Sequence, residues 1–349
     1  MRLKKISGFV FVLIMSIHLF ADIPSGYMTF QDVAKETQST LYWDSMSGNG
    51  MLEKNGHYLA FSTYSPLILF DRTHTETVSL PVNYNGTFYA SQDFFNSAKN
   101  LFNTLPPEVN FRIGSIIIDA GHGGKDPGAI ATHNVDGKDL YIEEKNVALF
   151  VAQDLHKKLS LAYPDKKILL TRDDDTFLTL EERTDIANTV YLGEHEAILY
   201  ISIHVNSALN KSANGFEVWY LSPGYRRVLI NEDDAKNIAD DHVATIVNSI
   251  LEEEFTTESI LIAKYILDGM DAQIGDVSPS RGLKEEEWFV VKNAKMPSVL
   301  IELGFLSNKE EAILLADENH LHKLSLGIYN GLTAFVTHFE QSRGFTGGH

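Results

Sequence analysis

The sequence predicts an α/β fold, a mostly parallel twisted sheet with flanking helices, preceded by a small α+β domain. Three observations predict it. Four short apolar runs, "SIIID" (115–119), "KILLTR" (167–172), "AILYISIH" (197–204) and "SVLIEL" (298–303), have the length and composition of buried parallel strands. Apolar residues between them recur at three- and four-residue spacing, as at Val147, Phe150, Val151, Leu155 and Leu159. The texture also changes at "TLPPEVNFRIG" (Thr104 to Gly114), whose proline pair reads as a linker.

Residues 1–21 read as a signal peptide. Arg2, Lys4 and Lys5 precede an apolar stretch from Gly8 to Phe20, and the small residue Ala21 follows. That stretch is shorter than the roughly 20 residues a membrane-spanning helix requires. The expectation is export, to the periplasm or cell envelope. There is no cysteine, so the chain is not a lipoprotein, and any metal must be held by His, Asp or Glu. A formal net charge of −18 argues against nucleic acid as a partner.

Residues 22–106 consist of short runs separated by turns, with Asn55-Gly56 and Asn85-Gly86 at hairpin positions. "GHYLAFST" and "SPLILFD" read as strands, and helices are expected near Phe30 to Lys35 and Ser91 to Leu101. This small α+β domain is expected to serve as a wall-binding or docking module. Residues 107–340 form the α/β domain and 341–349 a C-terminal tail. Within the α/β domain, "TLEERTDIAN" opens a helix with Thr179 and Glu182 at capping-box spacing.

Ligands of open α/β sheets bind beyond the carboxyl ends of the strands. The first strand runs out at Asp119 and His122, the third at His204, and the last carries Glu302; Glu144 starts the helix after the first strand. Two histidines and a carboxylate compose many catalytic zinc sites, which leave one position for water and lower its pKa toward about 7. Glu302 lies in a wholly apolar strand, where a carboxylate needs a metal, a proton or a cation to offset the cost of burial.

"IIIDAGHGGKDPGA", "EKNVAL", "LTRDDDTFLTLEERTDIAN", "ISIHVNS", "GFEVWYL", "SRGLK" and "AKMPSVLIELGFLSN" occur in order between about 113 and 340. In these motifs the chain resembles the zinc-dependent N-acetylmuramoyl-L-alanine amidases of bacterial cell walls. The resemblance implies one Zn²⁺ per chain held by His122, Glu144 and His204, with Glu302 as general acid/base and peptidoglycan as substrate. It also implies that Glu144, rather than its neighbour Glu143, is the ligand. Glycines 121, 123 and 124 are expected to turn the backbone so that His122 enters the cleft. Asp126 and Asn206 are candidates to orient a ligand or substrate; Arg183 and Arg281 match family positions and serve either substrate or structure.

Between "GFEVWYL" and "SRGLK" lies an acidic helical insertion, about 225–257, expected to end in Glu252, Glu253 and Glu254. Division-associated members of the family carry an insertion here that blocks the site. The resemblance thus implies an autoinhibitory segment, with these three carboxylates as candidates, released by an activator protein. The residues leave two other readings open: another zinc hydrolase, such as a peptidase or deacetylase, and a non-catalytic wall-binding protein.

Overall fold

A computed structural model of the protein describes residues 25–71, 74–104, 110–225, 227–229, 241–342 and 344. The expected signal peptide lies outside them. Among the described residues, no helix is long and apolar enough to cross a membrane.

The amino-terminal part contains β1 (Met28–Thr29), α1 (Phe30–Thr37), β2 (Thr40–Asp44), β3 (Asn49–Lys54), β4 (His57–Ser62), β5 (Leu67–Phe70), β6 (His74–Thr77), β7 (Val82–Tyr84), β8 (Thr87–Ala90) and α2 (Gln92–Asn103). Strands β2 to β6 form an antiparallel meander, and β1, β8 and β7 a second small sheet. Thr29 and Ser91 cap the two helices by accepting hydrogen bonds from the amides of Asp32 and Phe94. Both helices bury their apolar faces against the meander in an aromatic core, where Phe30 stacks on Phe61 at 4.2 Å and meets Phe94 edge-on at 5.3 Å.

The second part runs through β9 (Arg112–Ala120), β10 (Ile130–Val135), β11 (Lys138–Glu143), α3 (Glu144–Ala162), β12 (Lys167–Leu170), α4 (Leu180–Asn188), β13 (Glu196–Asn206), β14 (Phe216–Leu221) and α5 (Asp241–Ile274). It closes with β15 (Ser280–Glu286), α6 (Phe289–Asn293), β16 (Ser298–Phe305), α7 (Lys309–Leu315) and α8 (Glu318–Gln341). Six strands form one sheet in the order β12-β9-β13-β16-β14-β15. All neighbours are parallel except β14 and β16. β9 begins at Arg112, so the strand takes up the end of the sequence expected to be linker.

Alternation along the strands gives the sheet two buried faces. Ile116, Ile118, Leu199, Ile201 and Val299 pack with residues of α3, α5 and α8 in the main core. Ile117, Tyr200 and Leu300 turn the other way, onto Ala187 of α4 and Val290 and Val291 of α6. The expected capping box at Thr179 and Glu182 is formed in full.

The insertion differs from expectation. Instead of ending at Glu252 to Glu254, the helix continues unbroken as α5 to Ile274, 34 residues and about 51 Å at 1.5 Å per residue. No glycine or proline interrupts it before Gly269, and glutamates are good helix formers. α5 touches β4 and β5 of the amino-terminal part as well as β14, β15 and β16. Near its far end it crosses α8 at backbone contact: a Cβ on Gly269 would lie 2.3 Å from the carbonyl oxygen of Gly327.

Candidate metal centre

His122, Glu144 and His204 arrive from three elements. His122 follows the end of β9, Glu144 is the first residue of α3, and His204 lies near the end of β13. Each offers one ligand-type atom, and the three atoms lie within 4.8 Å of one another. Oε1 of Glu144 is 2.9 Å from Nδ1 of His204 and 3.1 Å from Nε2 of His122. The carboxylate is held from behind by the amides of Ala129, 2.7 Å from Oε2, and Val205, 3.0 Å from Oε1. Burial alone would raise its pKa, but the hydrogen bonds and charges of His122 and His204 outweigh burial and hold it well below the usual carboxylate range. Glu143, by contrast, accepts hydrogen bonds from Tyr141 and Asn146 outside the cluster.

His122 sits in the left-handed region at φ 60°, as do Gly123 and Gly124. Gly121 does not share that conformation; its role is clearance. A Cβ there would lie 2.5 Å from Cε1 of His204, so the bare backbone leaves space for the imidazole. Asp126 shares a 2.8 Å hydrogen bond with Nδ1 of His122, which leaves Nε2 turned to the cluster. Burial lowers the proton affinity of His122, but hydrogen bonding and charge from Glu144 and then Asp126 prevail, and the net direction is upward.

Glu302 on β16 is in register with His204 on β13. Parallel partners in register share a face, with strands about 4.8 Å apart. Oε2 of Glu302 is buried with no hydrogen-bond partner among the described residues. Burial, followed by the negative charges of Glu144 and Glu217, pushes the carboxyl well above the usual carboxylate range.

The remaining candidates divide. Asn206 donates to Oε1 of Glu217 at 2.9 Å, and Nε of Arg281 donates to Oε2 of the same carboxylate at 2.8 Å. Arg183 is buried; it donates to the carbonyl oxygen of His122 at 2.9 Å and lies 3.8 Å from Asp119. Asp119 is not one of the cluster's ligand-type residues; it accepts from the hydroxyls of Thr171 and Ser202, both at 2.7 Å.

The carboxylates of the insertion are elsewhere. Glu252 forms a buried 2.5 Å ion pair with Arg227, whose guanidinium also donates to the carbonyls of Ala294 and Met296, both at 3.1 Å. These residues lead into β16, and from its first residue, Ser298, to Glu302 is about 13 Å of strand. Glu253, one residue on, is exposed, and Glu254 is buried. None of the three belongs to the cluster of potential ligands. Residue 226 and residues 230–240 lie outside the described residues.

Residues 116–334 match the Amidase_3 family model, described as N-acetylmuramoyl-L-alanine amidase. The chain belongs to this amidase family. Protein YqiI of Bacillus subtilis, itself uncharacterised, is 31% identical over 221 residues, 63% of this chain and 84% of that one. The probable N-acetylmuramoyl-L-alanine amidase AmiB of Haemophilus influenzae is 32% identical over 237 residues, 63% of this chain and 52% of that one, so the match spans about half of that relative. Among solved structures, the N-acetylmuramoyl-L-alanine amidase from Clostridium difficile 630 superposes with a TM-score of 0.47 at 25% identity, covering 65% of this chain and 98% of that one.

The amidase domain also uses residues that motif reading passed over. Glu217 is one; its signal was a carboxylate inside the apolar run "GFEVWYL". Arg172 is another. It donates to the carbonyls of Ala120 and Gly121 at 3.0 and 2.7 Å and, with Arg183, clasps the loop that presents His122.

Proposed function

We propose that this amidase hydrolyses the amide bond between the N-acetylmuramoyl group and L-alanine of peptidoglycan, after export to the cell envelope, with one zinc ion held by His122, Glu144 and His204. The observation that carries the reading is the convergence of two imidazoles and a carboxylate within 4.8 Å, beside a buried carboxyl with an unpartnered oxygen. The donor set fits zinc: nitrogen and oxygen ligands from three residues, with one imidazole oriented by an outer carboxylate. Zinc bound there would supply Lewis acidity and an acidified water.

The rest of the chemistry falls to the chain's own residues. Glu302 accepts the proton of the attacking water and returns it to the nitrogen of the leaving L-alanine. Asp126 fixes the ring of His122, while Arg172 and Arg183 fix its backbone. Asn206 and Arg281 hold Glu217 in place opposite Glu302. A partner acting on the insertion would first have to part Arg227 from Glu252, because that pair docks the insertion on the residues leading into β16.

The test is elemental analysis of the purified protein together with product analysis of digested peptidoglycan. One zinc per chain, new L-alanine amino termini and intact sugar chains support the reading. Release of sugars, cleavage within the peptide, or absence of zinc from active protein would overturn it.

A further inference from the structure

The segments that build the metal centre continue into the walls of a cavity of about 400 Å³. Ala129, whose amide holds Glu144, leads into Ile130 and His133; His204 leads to Ser207; Glu302 leads to Ser307. The walls are tied together. Nε2 of His133 is 2.8 Å from the carbonyl oxygen of Leu306, the amide of Leu306 donates to the carbonyl oxygen of Asn206 at 2.9 Å, and the amide of Ala208 donates to the hydroxyl of Ser307 at 3.0 Å. The cavity therefore has a defined shape and opens beyond the carboxyl ends of β13 and β16, where ligands of such sheets bind.

Lys211 and Lys309 line it. Four lysines of the domain pair with carboxylates: Lys145 with Asp175, Lys158 with Asp154, Lys166 with Glu340 and Lys292 with Glu287. Lys211 and Lys309 form no ion pair among the described residues. One carboxylate, that of Glu310, shares the wall with them. In a chain with 29 basic and 47 acidic residues, two cations without carboxylate partners, in a cavity whose walls continue the segments of the metal centre, point to an anionic group on the ligand.

We propose that this cavity seats the peptide leaving group and that Lys211 and Lys309 read a free carboxylate on it, so that they set specificity for acidic over amidated stem peptides. This rests on the amidase reading, in which the peptide is one of the two halves of the substrate. The apolar wall at Ile130 faces the peptide's aliphatic part, and the lysines face the carboxylate of the residue after L-alanine.

Binding to the metal-free protein tests this apart from turnover. Two stem peptides serve as probes, one beginning L-alanyl-D-glutamyl with its α-carboxylate free and the other L-alanyl-D-isoglutaminyl, each titrated calorimetrically. The wild type should bind the free acid more tightly by about fivefold, the size expected for a partly exposed ion pair. Lys211→Gln with Lys309→Gln should erase the difference, whereas Lys157→Gln, on the exposed face of α3, should keep it. Equal affinity for both peptides in the wild type, no binding of either, or a preference that survives the double substitution would overturn the proposal. Digestion of whole peptidoglycan by the zinc-loaded wild type is run alongside. If it releases L-alanine amino termini while the peptides bind equally, the cavity assignment alone has failed; if it releases none, the amidase reading has failed and the proposal falls with it.

Discussion

Glu217 and Glu302, both buried, stand directly opposite one another across the antiparallel β14–β16 pair. Their environments differ. Glu217 accepts from Asn206 and Arg281, whereas Glu302 has an oxygen with no partner among the described residues and an elevated proton affinity. The charge of Glu217 adds to burial in raising the proton affinity of Glu302, a division between a carboxylate that is hydrogen-bonded and one that is not.

This division makes the metal-free protein sensitive to alkali. A carboxyl whose folded pKa lies above its unfolded value contributes stability at pH below about 4.3, and that contribution is lost as pH rises through the folded pKa. Glu302→Gln removes the titration. In chelator-treated protein, the variant should melt above wild type at pH 8, and the gap should close toward pH 4.5. Thermal melts across that range check it, and a constant gap would refute the assignment.

The same substitution should stop catalysis while leaving the ligands in place. Glu302→Gln is expected to lower kcat by about 10²- to 10⁴-fold, the usual worth of a positioned acid/base. Elemental analysis should still find zinc at the wild-type ratio. Loss of metal together with activity would make Glu302 a structural prop instead.

Gly121→Ala tests the clearance beneath His204. The added methyl would meet the imidazole at 2.5 Å, and the ring must move. Zinc affinity should fall by about 10- to 100-fold, the range seen when supports of metal ligands are removed. Competition with a chelating dye measures this; unchanged affinity would mean that the ring has slack.

Arg227 and Glu252 form the buried pair that docks the insertion, and burial pulls the Arg227 pKa down even against the raising effect of Glu252. Glu252→Ala leaves that guanidinium buried and unmatched, at a cost of about 3–5 kcal/mol. Replacing both by Met should recover most of it. Denaturant unfolding of the two variants decides, and equal losses would show that the pair is not coupled.

The sheet was legible because buried parallel strands such as "SIIID" and "SVLIEL" are continuous apolar runs, and α4 because its capping box is local. The metal cluster was legible through its motifs. The preference for Glu144 over Glu143, taken from the resemblance, agrees with the group of potential ligands at the start of α3. The antiparallel setting of β14 was not legible, because strand direction depends on where the chain crosses and not on its residues. Nor was the docking of Glu252. Three adjacent glutamates read as a helix end and as candidate blocking groups until Arg227, 25 residues earlier, supplies a buried partner for one of them.

The contact between Gly269 of α5 and Gly327 of α8 gives the long helix one fixed end. Backbone packed against backbone leaves no side chain to yield, so the carboxyl-terminal half of α5 has no room to pivot or slide. Any displacement of the insertion must then be absorbed by unwinding the turns before Glu258, and the helix behaves as a rod anchored near its carboxyl end and free to fray at the other. Amide exchange should accordingly grow faster along α5 toward Asp241, with the boundary set by the Arg227–Glu252 pair.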